Sequence, residues 1–300
     1  MSYDAVRHAI SPEWRPWIAA LFGLVLGAAT LEGLVQQFLL RQPYDWRAYA
    51  ASLGDAMGRF AVDSLGLSVV TPVLMWVYAH RLGEIPLNAM TQWLLLFFLE
   101  EFLYYWYHRC AHRVRWFWAT HAVHHSPNEL TLAASLRLGW TGKLTGTGLF
   151  FAPLLWLGFA PFAVFGMLAV NLLYQFWQHA TWIPKLGPLE WVLNTPAHHR
   201  IHHASNPEYL DKNYGGVLII FDRFFGTWVA ERDDVSLRFG LTTPLRSHNP
   251  LVIATHEWRH LAQDLWASRS VSDVARALFA PPAPRPLATL APSPSGVGVS

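Results

Sequence analysis

The stretch QWLLLFFLEEFLYYWYHRCAHRVRWFWATHAVHH, residues 92–125, decides the fold. Up to Tyr107 it is apolar and aromatic, interrupted only by Glu100 and Glu101, and reads as most of a bilayer span of about 20 residues. At His108 the character changes. His108 and His112 stand four apart, and His121, His124 and His125 form H-x-x-H-H. On a helix, residues i, i+3 and i+4 share a face. A membrane helix that ends in a row of imidazoles is therefore the first element predicted.

Outward from this stretch the apolar pattern repeats. Residues 17–40 and 60–78 read as further spans, the second kinked at Pro72, and 144–177 as a hairpin divided at Gly158 and Pro161. The predicted fold is all-α and integral to the membrane. It has about four to five membrane helices, the last pair a hairpin, under a cytoplasmic His-rich helical cap (108–143 and 179–267) that holds a di-metal site. Residues 1–267 form one domain, and the Pro-rich segment 280–300 reads as a disordered tail. The clustering of Arg109, Arg113, Arg115, Arg137 and Lys143 after the third span sets the His site on the cytoplasmic side. Scarce Lys beside abundant Arg, Ala, Gly and Pro points to a bacterial inner membrane, with a multi-pass topology.

Composition agrees. Hydrophobic residues make up 53% and charged residues 14%, and 16 Trp suit an interfacial belt. The net charge of +2 leaves no basic patch for nucleic acid, and a single cysteine, Cys110, excludes disulfides, Cys-rich zinc sites and Fe–S clusters.

Ten of the fifteen histidines fall between His108 and His203. A second H-x-x-H-H is made by His199, His202 and His203, and His179 ends the fourth apolar region. Each of these motifs is read as one helical face. Three such faces with His179 supply about nine imidazoles, more than one metal takes, so two metals share the set. An all-imidazole set suits Fe, Zn, Cu or Ni, and spacing alone does not choose. His198 adjoins the second motif and is a further candidate ligand. His8, His80, His248, His256 and His260 read as ordinary satisfied residues. Glu101, two turns before His108, is placed to orient a ligand imidazole or to pair with a cap arginine; Asn194, Asp211 and Asn213 are comparable orienting candidates. Tyr104, Tyr105, Trp116 and Trp118 line an entrance for a lipid, or form an interfacial belt with Trp106.

The stretches YYWYHRCAH (104–112), HAVHHS (121–126), NLLYQFWQH (171–179), GPLEWVLNTPAHHRIHH (187–203) and DKNYGGVLIIFDRFFGTW (211–228) resemble the fatty acid hydroxylase / sterol desaturase superfamily, and within it the bacterial side of the alkylglycerol monooxygenase branch. The resemblance implies two Fe ions, O2 and a lipid substrate drawn from the bilayer. It implies as ligands His108, His112, His121, His124, His125, His179, His199, His202 and His203. Gln175 stands where relatives carry a tenth ligand, and Glu101 stands where they carry Asp. Electrons would come from a donor protein or from tetrahydrobiopterin, which the animal ether-lipid enzyme uses. The expected activity is O2-dependent hydroxylation of a lipid C–H bond, with ether cleavage as one form. A lipid or sterol desaturase and a His-rich metal transporter are the alternatives.

Overall fold

The computed structural model describes residues 15–283. His8 and all but the start of the Pro-rich tail lie outside the described residues, among which there is no strand. Two isolated bridges, Leu193–Leu218 and Ala204–Phe239, are the extended pairings recorded there.

Helix α1 (Arg15–Leu34) runs into a π turn, Val35–Leu39. Pro16–Leu39 is the one helix among the described residues long and apolar enough to cross a membrane, with a mean hydropathy of 2.0. Its polar end is used. Glu32 is buried, and its carboxylate accepts from the Leu132 main-chain N–H (2.7 Å) and from Trp182 Nε1 (3.0 Å). That end of α1 is thereby fixed to the His-bearing half.

Helix α2 (Trp46–Ser64) is capped by Asp45, which accepts from the N–H groups of Arg47 and Ala48 at 2.9 Å. Helix α3 is Val70–Ala79. The single kinked helix expected over 60–78 is therefore two helices. Gly66 takes a left-handed φ of 68° after α2, and Ser68 Oγ accepts from Thr71 N (3.0 Å) to start α3 afresh. Pro72 falls in the first turn of α3, where its missing N–H has no helical partner to lose.

Helix α4 (Met90–Arg113) carries the decisive apolar stretch and both His108 and His112 without a break. Val114 is extended, and helix α5 (Arg115–His125) folds back from it. A 3-10 segment (Leu132–Leu136) and a helical turn (Gly142–Thr145) lead to α6 (Ala152–Leu157). Gly158, at φ 115°, turns the chain into α7 (Pro161–Gln178); before it, in place of one continuous helix, stand a 3-10 segment (Thr147–Phe151) and the short α6. Then come α8 (Pro196–His203), α9 (Ile220–Phe225), α10 (Pro250–Ala267) and α11 (Val271–Phe279). Helix α11 was not expected; its exposed Val271 and Phe279 give little sign of a buried face.

One core joins α3, α4, α6 and α7 through Val70, Leu74, Leu96, Leu154, Leu155 and Val164. The outer sides of the same helices expose large apolar groups, Trp76, Leu94, Phe98, Phe162 and Val170 among them. At the His-bearing end, Ile253 of α10 packs with Val123 of α5 and Ala51 of α2. The histidines thus sit between a helical layer and a cap.

Candidate metal centre

Helix α4 brings His108 and His112 to its C-terminal end, one turn apart, with ring centroids 5.2 Å from each other. Helix α5 supplies His121, His124 and His125. His179 is the residue that ends α7, and α8 carries His199, His202 and His203. All nine are buried or nearly so. They form two groups whose nitrogens lie within 4.8 Å of one another: His108, His112, His121, His125 and His202 in one, His124, His179, His199 and His203 in the other.

The division runs through the motifs, which corrects the reading of each H-x-x-H-H as one face. On α5 the i and i+4 residues enter the first group and the i+3 residue enters the second; on α8 the assignment is reversed. At about 100° per residue, i+4 is displaced by about +40° and i+3 by about −60°. An H-x-x-H-H helix can therefore face two centres at once. The groups touch, since the rings of His125 and His203 stack with centroids 4.3 Å apart.

Main-chain carbonyls set the ring orientations. His108 Nδ1 donates to Tyr214 O (2.7 Å), His202 Nδ1 to Lys212 O (3.0 Å), His124 Nδ1 to Arg137 O (3.1 Å) and His179 Nδ1 to Gln175 O (2.9 Å). A carbonyl only accepts, so in these four rings Nδ1 holds the proton and Nε2 is a bare lone pair. In the first group the Nε2 atoms form a row, His108–His121–His125–His202, with steps of 3.0, 3.2 and 3.1 Å. Both ends are bare. If His121 donates to His108 and His125 donates to His202, two N–H groups meet in the middle. If His125 accepts instead, His202 has no proton to give. No neutral arrangement satisfies the row.

Protonating a ring does not relieve it, because burial opposes the charge. Desolvation holds His124 at a pKa of about 4 despite its carbonyl partner, and it pushes His121, His125 and His202 well below the usual imidazole range, with neighbouring imidazoles adding to the effect. A metal cation does satisfy it. With metal–nitrogen bonds of about 2.0–2.1 Å, two nitrogens on one ion stand roughly 3.0 Å apart at a right angle and 3.4 Å at a tetrahedral one. The row fits that interval, as do the contacts of 3.3 and 3.1 Å from His199 Nε2 to those of His179 and His203 in the second group. His112 Nε2 and His199 Nδ1 are buried without a hydrogen-bond partner. The donor set fits metal ions.

The other candidates divide. His198 points away: its Nε2 accepts from Trp228 Nε1 (3.2 Å), and it borders a separate cavity of about 220 Å³ with Lys185, Glu190 and Arg223. The Gln175 amide also turns away, accepting from Tyr104 Oη (3.0 Å) and donating to Asn171; it is the main-chain oxygen of Gln175 that serves the centre. Glu101 orients no imidazole. Two turns place it on the side of His108 but about 10.5 Å along the axis, out of reach. Its carboxylate accepts instead from Asn171 Nδ2 (2.6 Å), Val217 N (3.0 Å) and Leu218 N (2.8 Å). Gly216 has no room for a side chain there, because a Cβ would lie 2.4 Å from Asn171 Nδ2. Asn194 donates to Gly215 O, and Asn213 donates to Val229 O (2.9 Å); neither touches a ring. Asp211 lies 3.8 Å from His112 Nδ1 and is engaged by Arg113 (2.8 Å).

Of the proposed entrance, Trp118 faces His112 and His125, with centroid distances of 5.3 and 5.6 Å. Tyr104 stands by His108 at 5.5 Å. Tyr105 is buried against Phe225, and Trp116 donates to Thr145 O and packs on Trp258, so neither lies at an entrance. A cavity of about 710 Å³ adjoins the centre, bordered by His112, Trp118, His125, His202 and His203 and roofed by residues 240–245 and α10.

Sequence reasoning missed Arg137 and Asp222. Buried Arg137 bonds Ser52, Ser126 and the carbonyl of Ala48, which fixes the segment that presents its own carbonyl to His124. Asp222 accepts from Tyr214 N (2.8 Å), Gly215 N (2.7 Å) and Thr227, and so holds the loop whose carbonyls orient His108 and His202. The isolated charges within LRLGW and IIFDRFF were the available signals.

Comparison with known proteins bears out the resemblance read from the motifs. Residues 93–227 match the fatty acid hydroxylase family model, and the match includes all nine histidines. Over 218 residues the chain is 39% identical to alkylglycerol monooxygenase of Xenopus tropicalis, covering 72% of this chain and 48% of that protein. It is 42% identical over 190 residues to alkylglycerol monooxygenase of Homo sapiens, covering 63% and 42%. It is 33% identical over 145 residues to ornithine lipid hydroxylase OlsE of Rhizobium tropici, covering 48% and 44%. The chain spans less than half the length of these curated relatives. No solved structure matches it.

Proposed function

We propose that this chain is a multi-pass membrane monooxygenase that inserts oxygen from O2 into a lipid C–H bond at a di-iron centre held by the nine clustered histidines. The observation that carries the reading is the row of four Nε2 atoms that no neutral proton arrangement satisfies and a bound cation does. The preference for iron over zinc follows from the relatives, which are named as monooxygenase and hydroxylase; zinc has no redox chemistry.

Two irons would supply the activation of O2 needed to attack an unactivated C–H bond. The balance is RH + O2 + two electrons + two protons giving ROH and water, with the electrons from a donor protein or a pterin. The chain's own residues set the stage. Carbonyls of Tyr214, Lys212, Arg137 and Gln175 hold four rings in one tautomer. Desolvation keeps the imidazoles neutral and able to bind metal. Trp118 and the 710 Å³ cavity offer a place for the reacting carbon beside His112, His125 and His202.

The exposed apolar sides of α1, α3, α4 and α7 belong against lipid, with the His centre facing the cytoplasm of a bacterial inner membrane. Identities of 39% and 42% to alkylglycerol monooxygenases favour an ether lipid as substrate. Hydroxylation beside an ether oxygen gives a hemiacetal, which breaks into an aldehyde and an alcohol. The test is metal analysis of the purified protein, joined to turnover of a 1-O-alkylglycerol under 18O2. Two Fe per chain and one labelled oxygen in the product support the reading. A double bond without retained oxygen makes the protein a desaturase, and bound metal that exchanges freely without O2 uptake makes it a transporter.

A further inference from the structure

Glu101 lies inside the apolar run of α4, about 9 Å along the axis from Tyr107, where that run ends. A buried carboxylate at such a depth is costly unless it is used. Glu101 is used on main chain: it accepts from the N–H groups of Val217 and Leu218. The rest of the irregular segment 214–219 is matched in the same manner. Asp222 takes the N–H groups of Tyr214 and Gly215, and the amides of Asn194 and Gln178 donate to the carbonyls of Gly215 and Gly216. Asn194 N donates to Val217 O (2.7 Å), and Ile219 N donates to Val192 O (2.9 Å). Glu101, Gln178, Asn194 and Asp222 are all fully buried. A loop in water is matched by water, whereas non-helical backbone at membrane depth has to be matched by protein.

The outer side of the same region is apolar. Helix α9 sets Phe221 and Phe225 against Phe102 of α4, with centroid distances of 5.7 and 6.4 Å. Phe102 is itself about 7.5 Å short of Tyr107 along the helix. Phe224, also on α9, is 81% exposed. Its neighbour Arg223 lies over the ring of Trp191 at 4.8 Å, and Trp191 is 68% exposed, with Leu189 and Val192 exposed on the same segment. Through Phe102 these groups continue the exposed side of α4 that carries Leu94 and Phe98. An indole beside a basic group suits headgroup level.

Resting on the reading of a multi-pass membrane protein, we infer that residues 189–192 and α9 are inserted into the bilayer beside the last turns of α4, as a lipid-facing edge of the cap. The occupant of their exposed face is the acyl chain of the leaflet that α4 crosses. The depth is that of an interfacial helix, about 5–10 Å, and the segment 179–267 is not wholly above the membrane. Asp222 lies on α9 and also holds the loop that orients His108 and His202, so the inserted edge and the five-histidine group share an anchor.

The test is depth-dependent quenching with the full chain in phosphatidylcholine nanodiscs. Cys110 is replaced by serine, and one bimane-labelled cysteine is placed at a time: Phe224→Cys, Val192→Cys, Phe98→Cys on α4, or Asp234→Cys in an exposed ion pair of the cap. All four positions are exposed, so the labels displace no core. The quenchers are a phosphatidylcholine with a nitroxide on the upper acyl chain and iodide in the water. Labels at 224 and 192 are expected to be quenched by the nitroxide nearly as strongly as the label at 98 and severalfold more than that at 234, with the reverse order for iodide. If the label at 224 or at 192 behaves like that at 234 while 98 is quenched from the lipid, the inference alone is overturned. If iodide reaches 98 as well, the membrane reading of α4 falls and the inference falls with it. Neither result depends on whether the centre oxidises anything, which metal content and 18O2 incorporation decide.

Discussion

The two histidine groups are built from the same motifs but differ in how they are enclosed. In the five-membered group, His112, His125 and His202 border the 710 Å³ cavity; of the four-membered group only His203 does. The five-membered group takes its orienting carbonyls from the loop 211–215, held by Asp222, whereas the four-membered group takes them from Arg137 and from the last turn of α7. One centre is supported by the loop 211–215, itself anchored on buried Asp222, and opens to a cavity. The other is supported by buried anchors and is nearly closed. Under the proposed function the open group is the one that would meet the substrate, and the two groups are separable by mutation.

The largest expected effect comes from removing one ligand from each group. His202→Ala and His124→Ala should each lower turnover by more than the roughly 10–100-fold typical of losing an orienting partner, and each should lose metal first from its own group. Spectroscopy of the residual iron distinguishes them; identical residual spectra would break the proposed division. Acid comes next. The buried imidazoles are held neutral, while those of the unfolded chain take protons below about 6.5. The unfolded state then binds more protons, so stability and metal retention are full above that pH. They fall as the pH drops from about 6.5 toward about 4, where His124 itself protonates. Metal release followed against pH, with circular dichroism alongside, checks this.

Asp222→Ala should act on the open group alone. It leaves the N–H groups of Tyr214 and Gly215 without their acceptor, at about 1–3 kcal/mol each, and it frees the carbonyls that hold His108 and His202. Metal affinity of that group should fall about 10-fold or more, while iron in the closed group persists in a chelator challenge. Arg137→Met should do the reverse, loosening His124. The smallest effect is expected at Trp116→Phe, which loses one hydrogen bond to Thr145 O, about 0.5–1.5 kcal/mol. Iron content and the Michaelis constant should not move, because this ring does not touch either group.

Much of this was legible in the sequence and some could not be. His108 to His203 announced the centre through spacing, and Gly158 with Pro161 marked the end of one helix and the start of the next. The apolar run 60–78 hid a helix break, because Leu65 to Val69 stays apolar enough while Gly66 and Ser68 end one helix and start another. The sharing of each H-x-x-H-H between two groups needs the partner helices in place; periodicity alone gives a single face. The carbonyl acceptors are main-chain atoms, and no side-chain letter marks them. Glu101 shares a direction with His108, but axial distance separates them, and its carboxylate went to the nearest unpaired N–H groups, those of Val217 and Leu218. His256 reads as ordinary because a lone histidine on an amphipathic helix usually is, and no spacing announces that its Nε2 is buried without a hydrogen-bond partner.

The most direct test of the account is the metal content of the wild-type protein beside that of His202→Ala and His124→Ala, measured by mass spectrometry of the purified chains. The account predicts two irons per wild-type chain, one for each histidine group, with each variant losing iron first from its own group. One metal ion or none in the wild type, or residual iron whose spectrum is the same in both variants, would contradict it.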